Sequence, residues 1–104
     1  MALESQIVDR ILRYLNALEG CVAEKVHGNA FQFGRPDING CWNSICFRIE
    51  VKTPDHGNKP SKAQELNLKK WARAGAVCFV AYSLNDVRYI FEEREDVWTK
   101  RKKR

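Results

Sequence analysis

The chemically most capable side chains of this sequence lie between Arg35 and Lys52: Pro36-Asp37, a thirteen-residue step from Asp37 to Glu50, and then Glu50-Val51-Lys52. Within Ile45–Lys52, side chains two residues apart return to the same face of a strand, so Glu50 and Lys52 point to one spot. Phe47, Ile49 and Val51 take the opposite, apolar face. Two carboxylates held close repel when both are ionised, so such a pair either shares a proton or holds a cation. A lysine beside them favours ionisation. Hard oxygen ligands with open positions suit Mg²⁺ or Mn²⁺, which takes one or two carboxylates, waters and substrate phosphates. Phosphodiester hydrolysis follows from that chemistry: a metal acidifies a water, while Lys52 orients the nucleophile and offsets developing negative charge. The competing reading is a solvated cluster of surface ion pairs, which are common and weak.

Register decides between the two, because it fixes which residues face each other. Asn39-Gly40 is the stronger local hairpin signal. A two-residue turn there sets Asp37 opposite Trp42, remote from Glu50. A turn at Asn43-Ser44 pairs Trp42 with Ile45 and, counted outward, sets Asp37 opposite Glu50. It also keeps Ile38–Trp42 as a strand, with Gly40 as a bulge or a point of close backbone approach. The second register is the one adopted here.

The elements that must position this hairpin read as follows. From Ala2 to Leu18, apolar Leu3, Ile7, Ile11, Leu12, Leu15 and Leu18 recur at helical spacing, closed by Glu19-Gly20. Glu4 falls on the Ile7, Ile11, Leu15 stripe, either as a site acid or as a first-turn carboxylate favoured by the helix dipole. Cys21–His27 alternates as a strand, Gly28-Asn29-Ala30 breaks it, and Phe31–Gly34 leads to Pro36-Asp37. Thr53–Pro60 is a loop. Ser61 starts a helix running to about Ala74, with Gly75 ending it. Ala76–Tyr82 is a continuous apolar run suited to a strand covered on both faces, and a short helix spans about Ser83–Glu92. Trp42 and Trp71 are expected in the core, and Trp98 in the core or an interface. The order is α/β: helix, three strands, helix, strand.

Length and composition bound the rest. At 104 residues the chain makes a single domain, residues 1–99, followed by a basic tail, residues 100–104. No apolar run approaches bilayer length and no N-terminal signal pattern is present. Cys21, Cys41, Cys46 and Cys78 are spaced 20, 5 and 32 residues apart without a C-x-x-C pair, which suggests neither a zinc site nor a disulfide framework. Free buried cysteines suit a reducing compartment, so a soluble cytoplasmic protein is expected. The net charge of +5 resides in Lys100, Arg101, Lys102, Lys103 and Arg104: removing these five of the 18 basic residues leaves 13 against 13 acids. Bulk charge is therefore weak evidence for a nucleic-acid partner, although the tail itself is a phosphate-contacting candidate.

Taken together, Glu4 on the first helix, Gly34-Arg35-Pro36-Asp37, Glu50-Val51-Lys52-Thr53-Pro54, Ser61-Lys62-Ala63-Gln64 and the Gly75-Ala76-Val77 approach to the last strand resemble the VRR-NUC (virus-type replication-repair nuclease) branch of the PD-(D/E)XK nuclease superfamily. The likeness runs from about residue 2 to residue 91. It implies a restriction-endonuclease-like αβββαβ core with a mixed central sheet of about four strands flanked by helices. It implies Asp37 and Glu50 as metal ligands with the Val51 main-chain carbonyl, Lys52 as the catalytic lysine, Glu4 completing the acidic side directly or through water, and Gln64 beside the metal. Ser61-x-x-Gln64 also fits a capping box, a purely structural role for that glutamine.

The activity so implied is Mg²⁺- or Mn²⁺-dependent, structure-selective cleavage of branched DNA. Stand-alone copies of this domain look most like phage or bacterial junction-resolving enzymes, which makes a homodimer the expected assembly. No membrane and no small-molecule cofactor is expected. Lys25, His27 and Arg35 are candidates for the phosphate path, each weighed against a solvent-facing role. The rivals are a monomeric flap or nicking endonuclease and a non-catalytic DNA-binding module.

Overall fold

Asn43 and Ser44 both adopt positive φ, 49° and 76°, and close a tight hairpin. Two left-handed residues give the type of turn whose twist matches the right-handed twist of the flanking strands. The computed structural model describes residues 3–27, 34–55 and 59–99. These form α1 (Glu4–Asn16), β1 (Cys21–Lys25), β2 (Ile38–Trp42), β3 (Ile45–Val51), α2 (Lys62–Arg73), β4 (Val77–Ala81), α3 (Leu84–Glu93) and α4 (Glu95–Thr99). The hairpin register pairs Trp42 with Ile45 and Ile38 with Ile49, as the adopted turn requires. Asn39-Gly40 lies inside β2, and Gly40 is there for space: a Cβ would collide with the Phe47 ring and the Val22 carbonyl.

The sheet runs β1-β2-β3-β4. Its first three strands are antiparallel, whereas β3 and β4 are parallel and joined through the α2 crossover. This is a mixed four-stranded sheet with helices on both faces. Ile45, Phe47, Ile49 and Val51 alternate onto one face and are buried there with Ile7, Val8, Ile11 and Leu15 of α1. Phe91 of α3 and Trp98 of α4 complete that layer, their rings 4.6 Å apart by centroid, with Trp42 5.0 Å from Trp98. Both indole N–H groups find main-chain acceptors, Glu19 O for Trp42 and Ile90 O for Trp98.

The even-numbered residues of β3 face α2, which covers β3 and β4 but leaves the β1–β2 side of that face open. Two expectations are corrected by this half-covered layer. Trp71 is not in the core: it is 38% exposed, with the Arg48 guanidinium 4.2 Å above its ring. The apolar run after Gly75 is not covered on both faces either; β4 is an edge strand whose Cys78, Phe79 and Val80 are only half-buried.

The cysteine expectation is corrected as well. Cys41 and Cys46 are directly opposite in the β2–β3 ladder and form a disulfide on the open face, both exposed; Cys21 and Cys78 are free. The pair is one step in from the turn-closing pair, where an antiparallel ladder brings opposed side chains closest. Cysteine usage therefore gives no argument for a reducing compartment. Among the described residues, no helix is long and apolar enough to cross a membrane.

Candidate active site

The hairpin end farthest from the turn assembles the acids. Gly34, at φ 77°, packs against the first turn of α2 so tightly that a Cβ would lie 2.6 Å from the Ala63 carbonyl oxygen. That contact fixes the Arg35-Pro36 approach, with Pro36 buried. Asp37 is then tied to the strands on either side. Its carbonyl accepts from Val26 N–H at 2.8 Å, and its own N–H donates to Ile49 O at 3.0 Å. Its side-chain Oδ2 accepts from Val51 N–H at 2.7 Å. The sequence pattern gave no sign of this last bond, because the donor is main chain.

Glu50 is the one buried charged residue among those described, 2% exposed. Its Oε2 accepts from Gln64 Nε2 at 2.8 Å and lies 3.8 Å from Lys52 Nζ. The two readings of Gln64 are both correct, because an amide has two ends. Gln64 Oε1 accepts from Ser61 N–H at 2.8 Å while Ser61 Oγ accepts from Gln64 N–H, completing the capping box. The Nε2 end remains to hold Glu50. Burial, then the neighbouring Asp37 carboxylate, push Glu50 up to about 8, against the downward pull of Lys52.

Glu4 opens α1 on the exposed rim of this corner. Partial burial and then Asp37 raise its pKa, with Lys52 opposing, so it shares the field of the cluster from the other face of the sheet. Lys25 pairs with Ile38, next to Asp37, and His27 follows one residue beyond Val26; both are exposed. Arg35 is half-buried two residues before Asp37. The ladder thus brings Lys25 to the end of the sheet where Asp37 stands, with His27 and Arg35 near it along the chain. Lys100, Arg101, Lys102, Lys103 and Arg104 lie outside the described residues. Arg10, on the helix that carries Glu4, falls off the Ile7, Ile11, Leu15 stripe and is exposed, as helical periodicity assigns it; its place in a cavity with Pro54, Tyr82, Ser83 and Leu84 carried no signal in the sequence.

The donor set suits a small hard cation. Glu50 Oε1 is buried without a hydrogen-bond partner, an acceptor whose desolvation is otherwise uncompensated. With Asp37 beside it, this makes two carboxylates. Among the described residues, no three carboxylate, imidazole or thiol side chains close into a metal cage. An open corner of two carboxylates is how Mg²⁺ is commonly held, with waters and substrate phosphates filling the remaining positions.

The fold is that of solved VRR_NUC domains. A structure described as a VRR_NUC domain superposes with a TM-score of 0.71 at 23% identity, covering 86% of this chain and 95% of its own. Another, described as a VRR_NUC domain protein, gives a TM-score of 0.65 at 17% identity over 92% of this chain and 90% of its own. No family model matches the sequence. No curated protein matches it either.

Proposed function

We propose that the chain is a metal-dependent endonuclease that hydrolyses phosphodiester bonds in branched DNA, acting as a homodimer on four-way junctions. One observation carries the reading: a buried carboxylate with an orphaned oxygen, Glu50, beside a second carboxylate, Asp37, and a lysine, Lys52, at the end of one hairpin. The likeness to VRR_NUC domains supports it.

Asp37 and Glu50 would hold Mg²⁺ or Mn²⁺, with the Val51 carbonyl, since a strand residue directs its amide and carbonyl to the same neighbour and the Val51 amide meets Asp37. The ion, when bound, supplies a water of lowered pKa and stabilises charge on the phosphoryl oxygens. The protein's own contribution is orientation. Val51 N–H fixes one oxygen of Asp37, Gln64 fixes one oxygen of Glu50, and both leave a second oxygen for the cation. Lys52 offsets negative charge that grows in the transition state and positions the attacking water. Glu4 takes part from the rim, through water. Lys25, His27 and Arg35 lead the strand's phosphates toward the corner. A two-fold branched substrate cut on both strands calls for two sites, which a symmetric dimer provides.

The test is a nicking assay on a four-way junction, a flap and a linear duplex, with Mg²⁺ and with EDTA, for wild type, Asp37→Ala and Lys52→Ala. Wild type should cut the junction only with Mg²⁺, and each variant should lose at least about 100-fold in rate, the scale of one preorganised group. Equal behaviour of the three proteins sinks the nuclease reading. Sedimentation with and without junction tests the dimer, for which paired, coupled cuts are expected.

A further inference from the structure

We infer that a second pocket, centred on Arg10, binds a backbone phosphate of the substrate strand adjacent to the bond that is cut; this rests on the nuclease reading above. A cavity of about 180 Å³ is lined by Ile7, Arg10, Pro54, Tyr82, Ser83 and Leu84. Its lining residues follow closely along the chain from those of the acidic corner. Ile7 lies three residues after Glu4 on the same face of α1, and Pro54 lies two residues after Lys52. Tyr82 follows Ala81, whose carbonyl accepts the Lys52 N–H at 3.0 Å. The Lys52–Ala81 bond thus ties the chain segment that carries Tyr82 to the end of β3, and a strand held at the corner has the cavity within reach.

Three of the six lining residues, Arg10, Tyr82 and Ser83, carry side-chain donors, while Ile7, Pro54 and Leu84 give the cavity apolar walls. Among the described residues, the Arg10 guanidinium has no ion-pair or hydrogen-bond partner, and neither does the Tyr82 hydroxyl. Ser83 Oγ accepts from Asp86 N–H, which leaves the hydroxyl proton free to donate outward. The nearby carboxylate, Asp86, does not line the cavity, and its Oδ2 accepts from Tyr82 N–H at 2.8 Å. Three donors without an acid select an anion, and the planar guanidinium suits the paired oxygens of a phosphate. The volume is below the roughly 300 Å³ at which pockets for free small molecules begin, which favours a piece of a continuous backbone over a whole nucleotide. Arg10 is six residues beyond Glu4, about 9 Å along the helix. Its side chain leans back toward the helix N-terminus, so it addresses a phosphate beside the scissile one and not a distant arm of the DNA.

The decisive experiment is a coupling cycle with a methylphosphonate. Affinity for a fluorescein-labelled four-way junction is measured in EDTA over a salt series, for wild type, Arg10→Gln, Arg10→Lys and Arg13→Gln. The last removes the same charge from a site on the same helix that does not line the cavity. Arg10→Gln should flatten the salt slope by about 0.7 to 0.9, the value of one phosphate contact, with Arg10→Lys and Arg13→Gln close to wild type. A neutral methylphosphonate, placed one nucleotide to either side of the cleaved bond, should weaken wild type at one of the two positions and cause no further loss in Arg10→Gln. If Arg10→Gln and Arg13→Gln have the same slope, or if the losses multiply at both positions, the pocket is not a phosphate site. Because binding is read without metal, that failure is separable from a wild type that cuts nothing, which would instead overturn the nuclease reading.

Discussion

Gln64 holds Glu50 Oε2 at 2.8 Å with its amide nitrogen while its amide oxygen caps the Ser61 N–H at 2.8 Å, so one side chain joins the start of α2 to the buried carboxylate. This bridge aims the α2 N-terminus at the end of β3. It also satisfies one oxygen of the buried acid, while the other, Oε1, has no hydrogen-bond partner.

Replacing Gln64 by Leu should therefore do two things at once. Loss of the return bond from Ser61 N–H to Gln64 Oε1, with the Ser61 cap itself kept, should cost roughly 1 kcal/mol in thermal or urea unfolding. Loss of the Glu50 anchor should reduce Mg²⁺ affinity or cleavage by about 10- to 100-fold, the scale for groups that orient a metal ligand. A variant that shows the stability loss with unchanged metal affinity would reduce Gln64 to a capping residue.

The raised pKa of Glu50 makes stability pH-dependent in a defined sense. Unfolded, the group titrates near 4.5; folded, near 8. Between those values the native state binds the extra proton, so its stabilising effect is complete below about pH 4.5 and is lost as pH rises toward 8, by at most about 1.4 kcal/mol per pH unit. Without metal, the melting temperature of wild type relative to Glu50→Gln should fall over that window. Mg²⁺ competes with the proton and should stabilise wild type more at pH 8.5 than at pH 6. A wild-type minus variant difference that is flat in pH excludes the shift.

The Cys41–Cys46 disulfide is readable by thiol counting. Alkylation of protein unfolded without reductant should label two cysteines, Cys21 and Cys78, and with reductant all four. The closed loop is short, so Cys41→Ser/Cys46→Ser should lose only about 2 kcal/mol in unfolding free energy. Four labels in the unreduced protein would remove the bond.

Deletion of residues 100–104 should weaken junction binding and reduce its salt dependence, with a slope change of up to about 0.9 for each phosphate released. Cleavage at saturating protein should be retained. An unchanged slope, measured by anisotropy over a salt series, would leave the tail without a DNA role.

Much of the fold was legible because it rests on local periodicity. The Ile7, Ile11, Leu15 stripe specified α1, alternation through Phe47, Ile49 and Val51 specified β3, and Ser61 with Gln64 specified the start of α2, since these patterns depend on which face a residue presents and not on what covers it. The short α4 was missed because five residues show too little periodicity to read. Trp71 was misassigned for a different reason: an apolar stripe gives a helix face, but whether the sheet extends far enough to cover it depends on strand order.

The sequence by itself determined the residue types of the acid corner and two competing registers, of which the turn at Asn43-Ser44, the one the structure shows, sets Asp37 opposite Glu50 by counting outward. The same count sets Cys41 against Cys46, a pairing that the spacing of the cysteines had argued against. Only the tertiary structure decided how deeply Glu50 is buried, that the two ends of Gln64 serve two partners, that the Val51 amide fixes Asp37, and that Arg10 shares a cavity with Pro54 and Tyr82. Each of these joins segments distant in the chain, and their burial and pairing follow from packing in three dimensions, which a one-dimensional pattern does not carry.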